Sequence, residues 1–299
     1  EDIPLRSMPH RTRAFLKIED GCQNFCTFCI IPYARGPVKS RELAAVRRET
    51  ERIAAAGFHE IVLTGIHLGA YGIDLPGRPT LADACRTALS LPELRRLRLG
   101  SLESVELSND LLELIRTEPR FAAHLHLPLQ AGSDGVLTAM NRHYDTAAFA
   151  RLIEDVRRAV PGVAVSTDII VGFPGETETQ FEESLDFVRR MGFARMHVFP
   201  YSARRGTPAA RRPDQVPAPI RKERAARMQA LAEELAVGYH RAALGTVTDV
   251  LFETTAHGVT DGLTDTYIRV YTDAPVTRGD LVSVRLTRLF RDGVWGEPA

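Results

Sequence analysis

Four cysteines in 299 residues are too few for a disulfide framework, and three of the four are crowded into one loop. Unpaired, clustered thiols imply a reducing, cytoplasmic setting. No apolar run approaches the roughly 18 residues of a membrane-crossing helix, so no membrane partner is expected. The start, Glu1-Asp2-Ile3-Pro4-Leu5-Arg6, has neither the apolar core of a secretory signal nor an initiator methionine, and reads as the start of a fragment or a trimmed chain. Net charge is also missing. The 38 basic residues balance 38 acidic ones, so composition gives no general argument for nucleic acid. At 44% hydrophobic and 25% charged, the chain is ordinary for a globular protein, with room for one barrel and a small module.

What the chain does have is Asp20-Gly21-Cys22-Gln23-Asn24-Phe25-Cys26-Thr27-Phe28-Cys29-Ile30-Ile31-Pro32. Cys22, Cys26 and Cys29 follow the spacing C-x3-C-x2-C. Thiolates are soft ligands that select iron–sulfur clusters and zinc. A four-iron cluster held by three cysteines leaves one iron open, and open metal positions mark catalytic rather than structural sites. A zinc site with a distant fourth ligand stays open as a reading, although no second ligand pair occurs. Cys85 lies among small apolar neighbours and reads as a buried hydrophobe.

Around this loop, strands and helices alternate. Strands are expected at 14–18, 60–64, 97–100, 123–127, 163–171 and 196–200. Helices are expected at 41–56 (ending at Gly57), 80–90, from Ser108 to about Thr117, 145–159 and 176–191 (closed by Gly192). Six strand–helix units with short connections argue for an α/β fold with a parallel sheet and crossover helices. They suit an open (βα)6 partial barrel; periodicity alone leaves a doubly wound sheet open. Residues 1–13 read as a linker, 201–219 as a Pro/Gly-punctuated connector and 220–243 as one long helix. Beyond Gly245 come short alternating runs at 247–252, 267–271 and 281–286, the pattern of a small all-β barrel or sandwich. The expected division is a linker at 1–13, a core at 14–238 and a β domain at 239–299.

Charge is distributed unevenly. Residues 1–48 hold 9 basic and 5 acidic groups, and residues 201–241 hold 9 and 4. Two basic segments permit an RNA-facing side; solvated helix faces explain them equally well. Residues 240–299 hold 6 basic and 8 acidic groups, and Arg285, Arg288 and Arg291 alone suggest a basic patch there.

In a parallel barrel, active residues sit where strands end. The unusual sequences fall there. Gly65-Ile66-His67-Leu68-Gly69-Ala70-Tyr71-Gly72 follows the second strand, and its glycines let backbone approach a ligand closely. The fourth strand ends in His126-Leu127-Pro128-Leu129-Gln130-Ala131-Gly132-Ser133-Asp134. Asp168 lies within an apolar strand, where a charge needs a partner. Val171-Gly172-Phe173-Pro174-Gly175-Glu176-Thr177 precedes a helix, and Arg142 is suited to a bidentate carboxylate pair.

Together with Phe15-Leu16-Lys17-Ile18, the string Ile30-Ile31-Pro32-Tyr33-Ala34-Arg35-Gly36 and the run from Pro200 to Ala209, these motifs resemble the radical S-adenosylmethionine (SAM) methylthiotransferases over about 195 residues. The resemblance implies that Cys22, Cys26 and Cys29 ligate three irons of a 4Fe-4S cluster. The open iron would bind SAM, which an electron splits to a 5′-deoxyadenosyl radical. It places the SAM amino group at Gly65 and makes Gln130, Ser133, Asp168 and Arg142 further cofactor-binding candidates. It likens residues 239–299 to a TRAM domain, an OB-like RNA-binding module. The turn from Gly65 to Gly72 is most similar to the branch that adds a methylthio group to carbon 2 of N6-threonylcarbamoyladenosine in tRNA. The alternatives are isopentenyladenosine tRNA, ribosomal protein S12, or a non-catalytic tRNA-binding fragment. Implied partners are tRNA, a reducing electron donor and a sulfur source. The family also carries an N-terminal domain with a second cluster, which precedes the linker and is expected in the full-length protein.

Overall fold

The computed structural model describes residues 11–103 and 107–299. The chain enters through β1 (Arg13–Lys17). A short antiparallel pair, β2 (Glu19–Asp20) with β3 (Lys39–Ser40), then closes the base of the cysteine loop and of a five-residue helix, α1 (Ile31–Arg35). Next come α2 (Leu43–Ala55), β4 (Glu60–Thr64), α3 (Leu81–Leu89), β5 (Arg96–Leu99), α4 (Asn109–Thr117), β6 (His124–His126), α5 (Asp134–Ala139) and α6 (Thr146–Ala159). The core ends with β7 (Ala164–Val171), α7 (Glu178–Met191), β8 (Arg195–Pro200) and the long α8 (Ala218–Ala242).

The helix starts were legible because their caps are local. Thr80 and Asp83 form a reciprocal capping box, as do Thr177 and Gln180. Ser108 and Asp145 accept from the backbone N–H three residues on. Gly192 closes α7 with a left-handed φ of 58°.

The parallel strands pair as β1-β4-β5 and β6-β7-β8. Bridges Leu97–Phe121 and Ser101–His126 join the two groups, supported by a 3.0 Å bond from Leu102 N to the His126 carbonyl. The spatial order of the six strands thus follows the chain order. A doubly wound sheet reverses its order at a switch point, and this one does not, so right-handed crossovers place the helices on one face. The result is the open (βα)6 barrel, with β1 and β8 as its two edges. Leu16, Ile61, Leu63, Leu97 and Leu99 point outward into the helix layer and are buried there.

After α8 the chain forms a closed five-stranded barrel in the order β10-β11-β13-β12-β9. Its strands are β9 (Val247–Ala256), β10 (Val259–Thr264), β11 (Arg269–Thr272), β12 (Leu281–Phe290) and β13 (Gly293–Pro298). Val250, Phe252, Val270, Val284, Leu286 and Val294 fill it. This is the expected small OB-like barrel, with two strands the sequence pattern does not show. β10 contains Gly262 at a register shift, where a Cβ would lie 2.4 Å from the Leu251 carbonyl. β13 carries two glycines and ends in proline, a composition that reads as a turn. The run expected as a strand from residue 267 begins at Arg269 instead, because Tyr267 takes a left-handed φ of 64°. Helices α1 and α5 are too short to show a helical period.

The two barrels meet over the N-terminal ends of β1, β4 and β5. Glu60 is buried and takes Arg98 Nε at 2.9 Å and Arg96 Nη1 at 3.2 Å, with Arg13 at 3.9 Å. Arg98 also donates to the Thr264 carbonyl at 3.0 Å, and Arg96 to the Asp249 carbonyl at 2.8 Å. Thr12 and Arg13 bond Glu253 of β9, so the part of the expected linker that lies within the described residues is pinned to the small barrel. Residues 1–10 of that linker lie outside them. Helix α8 runs through the expected domain boundary at 238/239 to Ala242.

Candidate active site

The cysteine loop sits at the C-terminal mouth of the barrel. Backbone bonds hold it from three sides. Cys22 N donates to the Gly36 carbonyl at 3.1 Å, Thr27 N to Met140 at 3.0 Å, and Ala209 N to the Thr27 carbonyl at 2.9 Å. Asn141 Nδ2 reaches the carbonyls of Asn24 and Phe25 at 3.3 and 3.2 Å. Phe25, with φ of 48°, turns the chain between the first two cysteines. A loop this well bonded keeps its thiols in place without a metal to gather them.

Arg142 is the electrostatic partner of that loop. Its Nη1 donates to Cys26 Sγ at 3.2 Å, its Nε to the Tyr144 hydroxyl at 3.1 Å, and its Nη2 bonds Glu103. Arg142 thus pairs with Glu103 through one nitrogen rather than bidentately, its other donors going to Tyr144 and the Cys26 thiol. Burial pushes the Cys26 thiol up, against the pull of Arg142; burial also raises Cys29, opposed by the Ile31 backbone N–H. Buried thiols of this kind ionise when a cation takes their charge. Among the described residues, no three His, Cys, Asp or Glu side chains converge as ligands of one ion would. The donor set itself, three free thiols within eight residues of one loop, is the soft-ligand chemistry that a cluster takes, one thiolate to an iron.

Beside the loop, Gly65 ends β4. A Cβ there would stand 2.6 Å from Glu19 Oε2, so any larger residue would have to displace that buried carboxylate. Glu19 Oε2 accepts from His67 N at 2.6 Å, while its buried Oε1 has no partner among the described residues. An unpaired carboxylate oxygen at the glycine turn is a receptor for an ammonium group. Burial raises the Glu19 carboxyl, opposed chiefly by the His67 backbone N–H. Sequence reasoning missed Glu19; its place three residues before the first cysteine was the available signal.

Beneath the mouth lies a cavity of about 420 Å³ inside the barrel. Asp168 faces it and finds its partner in His126, with Nε2 3.3 Å from Asp168 Oδ1. His126 Nδ1 and His124 Nε2 both lie 2.9 Å from Ser166 Oγ. Ser166 thus links His126 and His124 by hydrogen bonds, with the Asp168 carboxylate within ion-pairing distance of His126. Burial, then Arg98, pushes the His124 imidazole well below its ordinary range, so it is neutral. Tyr267 of the small barrel closes the floor, 4.5 Å from the His124 ring and 3.9 Å from the Arg98 guanidinium carbon. A second cavity of about 450 Å³ lies between β8, α8 and the small barrel and shares His124, Arg195, His197 and Tyr267 with the first.

The other two candidates part company. Gln130 stands at the C-terminal end of β6 with φ of 70°, its backbone extending the pairing with β7. Ser133 turns away to the helix layer, where its hydroxyl donates to Glu183 of α7 at 2.6 Å. It is not among the residues lining the barrel cavity. Ser133 stands at the N-cap position of α5 but makes no side-chain cap bond, its hydroxyl being turned to Glu183 instead.

A family model of the radical SAM superfamily matches residues 16–188. A threonylcarbamoyladenosine tRNA methylthiotransferase, MtaB, of Bacillus subtilis (strain 168) is 40% identical over 275 residues, covering 90% of this chain and 61% of that protein. A tRNA-2-methylthio-N(6)-dimethylallyladenosine synthase of Rickettsia rickettsii (strain Sheila Smith) is 37% identical over 307 residues, covering 99% and 68%. The chain belongs to the radical SAM methylthiotransferase family. It spans about three fifths of the Bacillus protein and about two thirds of the Rickettsia one. Its fold is also that of the Escherichia coli coproporphyrinogen III oxidase HemN, a radical SAM enzyme, with TM-score 0.56 at 17% identity over 87% of this chain and 68% of that one. The superfamily's cofactors are a 4Fe-4S cluster and SAM. No helix among the described residues is long and apolar enough to cross a membrane.

Proposed function

We propose that this chain is the radical core and C-terminal barrel of a tRNA methylthiotransferase that modifies carbon 2 of N6-threonylcarbamoyladenosine beside the anticodon. The observation that carries it is the three-thiol loop, bonded in place over a barrel cavity whose wall carries Asp168, His126, Ser166 and His124. The turn from Gly65 to Gly72 supports the branch, as does the Bacillus relative. The Rickettsia relative supports dimethylallyladenosine as the second reading.

In this reading Cys22, Cys26 and Cys29 hold the cluster. Bound together, cluster and SAM supply hydrogen-atom abstraction. The chain's own residues do the rest. Arg142 offsets negative charge at Cys26. Gly65 lets the SAM amino group approach, and Glu19 Oε1 accepts from it. Gln130 borders the mouth. Asp168 orients His126, and the link through Ser166 to neutral His124 holds or relays a proton along the cavity wall. Ser133 acts indirectly, tying α5 to α7. The division into a core at 14–238 and an RNA-facing domain at 239–299 belongs to the same proposal. Arg288 lies 4.7 Å from the Trp295 ring centroid and Arg291 5.3 Å from that of Tyr271, an interleaving of cations and rings that suits RNA. An electron donor and a sulfur source complete the partners.

The test is anaerobic reconstitution with iron and sulfide, then dithionite and SAM, assaying 5′-deoxyadenosine with and without an anticodon stem-loop carrying the modified base. Production that disappears in Cys22→Ala, Cys26→Ala or Cys29→Ala supports the reading. Well-folded protein that neither takes up a cluster nor cleaves SAM overturns it.

A further inference from the structure

Strand β8 turns Met196 and Val198 into the helix layer, so Arg195, His197 and Phe199 lie on its other face, toward the barrel cavity. Phe199 is the second-last residue of β8, opposite Ile170 of β7, and is 49% exposed. A phenyl ring exposed on an outer surface needs no explanation. Among the described residues, however, this is the only exposed large hydrophobic side chain that lines the barrel cavity. Other rings of that cavity are engaged. The Arg11 guanidinium carbon lies 4.9 Å from the Phe15 ring centroid, that of Arg98 lies 3.9 Å from Tyr267, and His126 meets His197 edge-on at 5.8 Å. The one ring contact of Phe199 among the described residues is His197, 6.4 Å away and tilted by 16°. The two rings make a nearly parallel pair along one strand. The same cavity carries the Ser101 and Ser166 hydroxyls and the Asp168 carboxylate.

We propose that Phe199, with His197 beside it, is the stacking platform for the RNA base that is modified. The inference rests on the reading given under Proposed function and names the surface that holds the base within it. An atom of a base inside a stack is out of reach of a protein's reactive centre, so the base is swung out and loses its stacking neighbours. A free aromatic face returns that stacking, whatever the base, because every base has a π-face. A cavity of about 420 Å³ is of the size that holds one extruded nucleoside and not a stem. The wall chemistry fits the same occupant. A base is a flat ring with hydrogen-bonding edges, and here rings on β8 stand beside hydroxyls and a carboxylate. A purely apolar ligand would leave those polar groups idle, and an anion would meet Asp168. The place of Phe199 near the C-terminal end of β8 puts the platform at the mouth, where the cysteine loop sits.

The experiment uses anticodon stem-loop RNAs and the reconstituted full chain. One RNA carries 2-aminopurine, a fluorescent adenine isomer that stacking dims, at the target position. Another carries it elsewhere in the loop, and a third is abasic at the target. Saturating wild type is expected to keep the target probe dim, and Phe199→Ala to leave it bright. Affinity by fluorescence anisotropy is expected to fall about 5- to 150-fold in Phe199→Ala, the range of one base–aromatic contact. Phe199→Trp is expected to keep dimness and affinity, and Phe199→Leu, apolar but without a π-face, to lose most of both. The probe elsewhere in the loop, the iron content and the SAM affinity in equilibrium dialysis are expected to match wild type in all three variants. A dim target probe in Phe199→Ala overturns the proposal whatever the affinity, as does full retention in Phe199→Leu. A fall in SAM affinity in Phe199→Ala also overturns it, because the ring then serves the cofactor. In each of these cases, abasic RNA that binds wild type more weakly than the intact RNA leaves the broader reading standing. If abasic and intact RNA bind wild type alike, or neither binds, the substrate reading falls with the proposal.

Discussion

Replacing Glu60 by glutamine keeps the shape of the side chain and removes the one negative charge beneath three arginines. Glu60 is 2% exposed, Arg96 5% and Arg98 0%, so water cannot take over the lost role. Arg98 keeps the Thr264 carbonyl and Arg13 keeps Glu253, but Arg96 is left with the Asp249 and Leu263 carbonyls alone. Burial, followed by repulsion from Arg98, already holds the Arg96 guanidinium below its ordinary range, so the carboxylate is offsetting a real cost. Removing one partner of a buried charge cluster costs about 3–5 kcal/mol. That is a large share of a whole domain's stability, about 5–15 kcal/mol. At roughly 2–4 °C per kcal/mol, Glu60→Gln should melt some 6–20 °C lower. The loss should be directional. These arginines tie β5 to the small barrel, so limited proteolysis near 243–246, the link between α8 and β9, should accelerate before the core opens. The pH dependence carries a second signature. Burial alone would push the Glu60 carboxyl up, but Arg98, Arg96 and Arg13 outweigh it and hold it below the ordinary glutamate range. A depressed carboxyl stabilises the fold above its unfolded value, and that stability is lost as pH falls through the native one. As the pH falls below the ordinary glutamate range the wild type should therefore lose more stability than the variant, and the two melting curves should converge. A Glu60→Gln protein within 1 kcal/mol of wild type at pH 7, with an unchanged proteolysis pattern, would refute the argument.

Three further outcomes are expected. Cys85→Ala should retain full iron loading, because that thiol is completely buried in the helix layer and burial pushes it far up, whereas iron content should collapse in each of the three loop variants; equal loss in all four would contradict the assignment. Gly65→Ala should weaken SAM binding at least about 10-fold in equilibrium dialysis while the far-ultraviolet circular dichroism stays native, since the added methyl meets the Glu19 carboxylate first, at 2.6 Å, and the Leu68 side chain less closely, at 3.0 Å. Arg142→Met should lower the cluster's reduction potential in redox titration, because a cationic donor 3.2 Å from Cys26 Sγ favours the more negative, reduced cluster; an unchanged potential would show that the contact is structural only.

Much of the fold was readable because its signals are local. Caps at Thr80, Ser108, Asp145 and Thr177 lie within three residues of what they cap, and the strand–helix rhythm follows from burial on one face of each element. The cysteine spacing was equally plain, since its chemistry is contained in eight consecutive residues. By itself, then, the sequence determined the capped helix starts, the strand–helix alternation and the thiols that define the site, while the strand order that makes a barrel rather than a doubly wound sheet came from the tertiary structure.

The tertiary structure decided what depends on contacts between distant residues. Ser166 meets His124 and His126 across about 40 residues of chain. Arg98 meets Thr264 across 166. No period in the sequence reports such a meeting, because it is set by strand register and by how one barrel docks on another. The same holds where local reading failed. Ser133 looks like a mouth residue until α5 is packed against α7. Gly262 looks like a turn until β9 runs beside it, and Tyr267 looks like a strand until its left-handed turn places the ring beneath the barrel. A residue type announces what chemistry it can do; only the packed neighbours settle which way it faces and whether its charge is already spent.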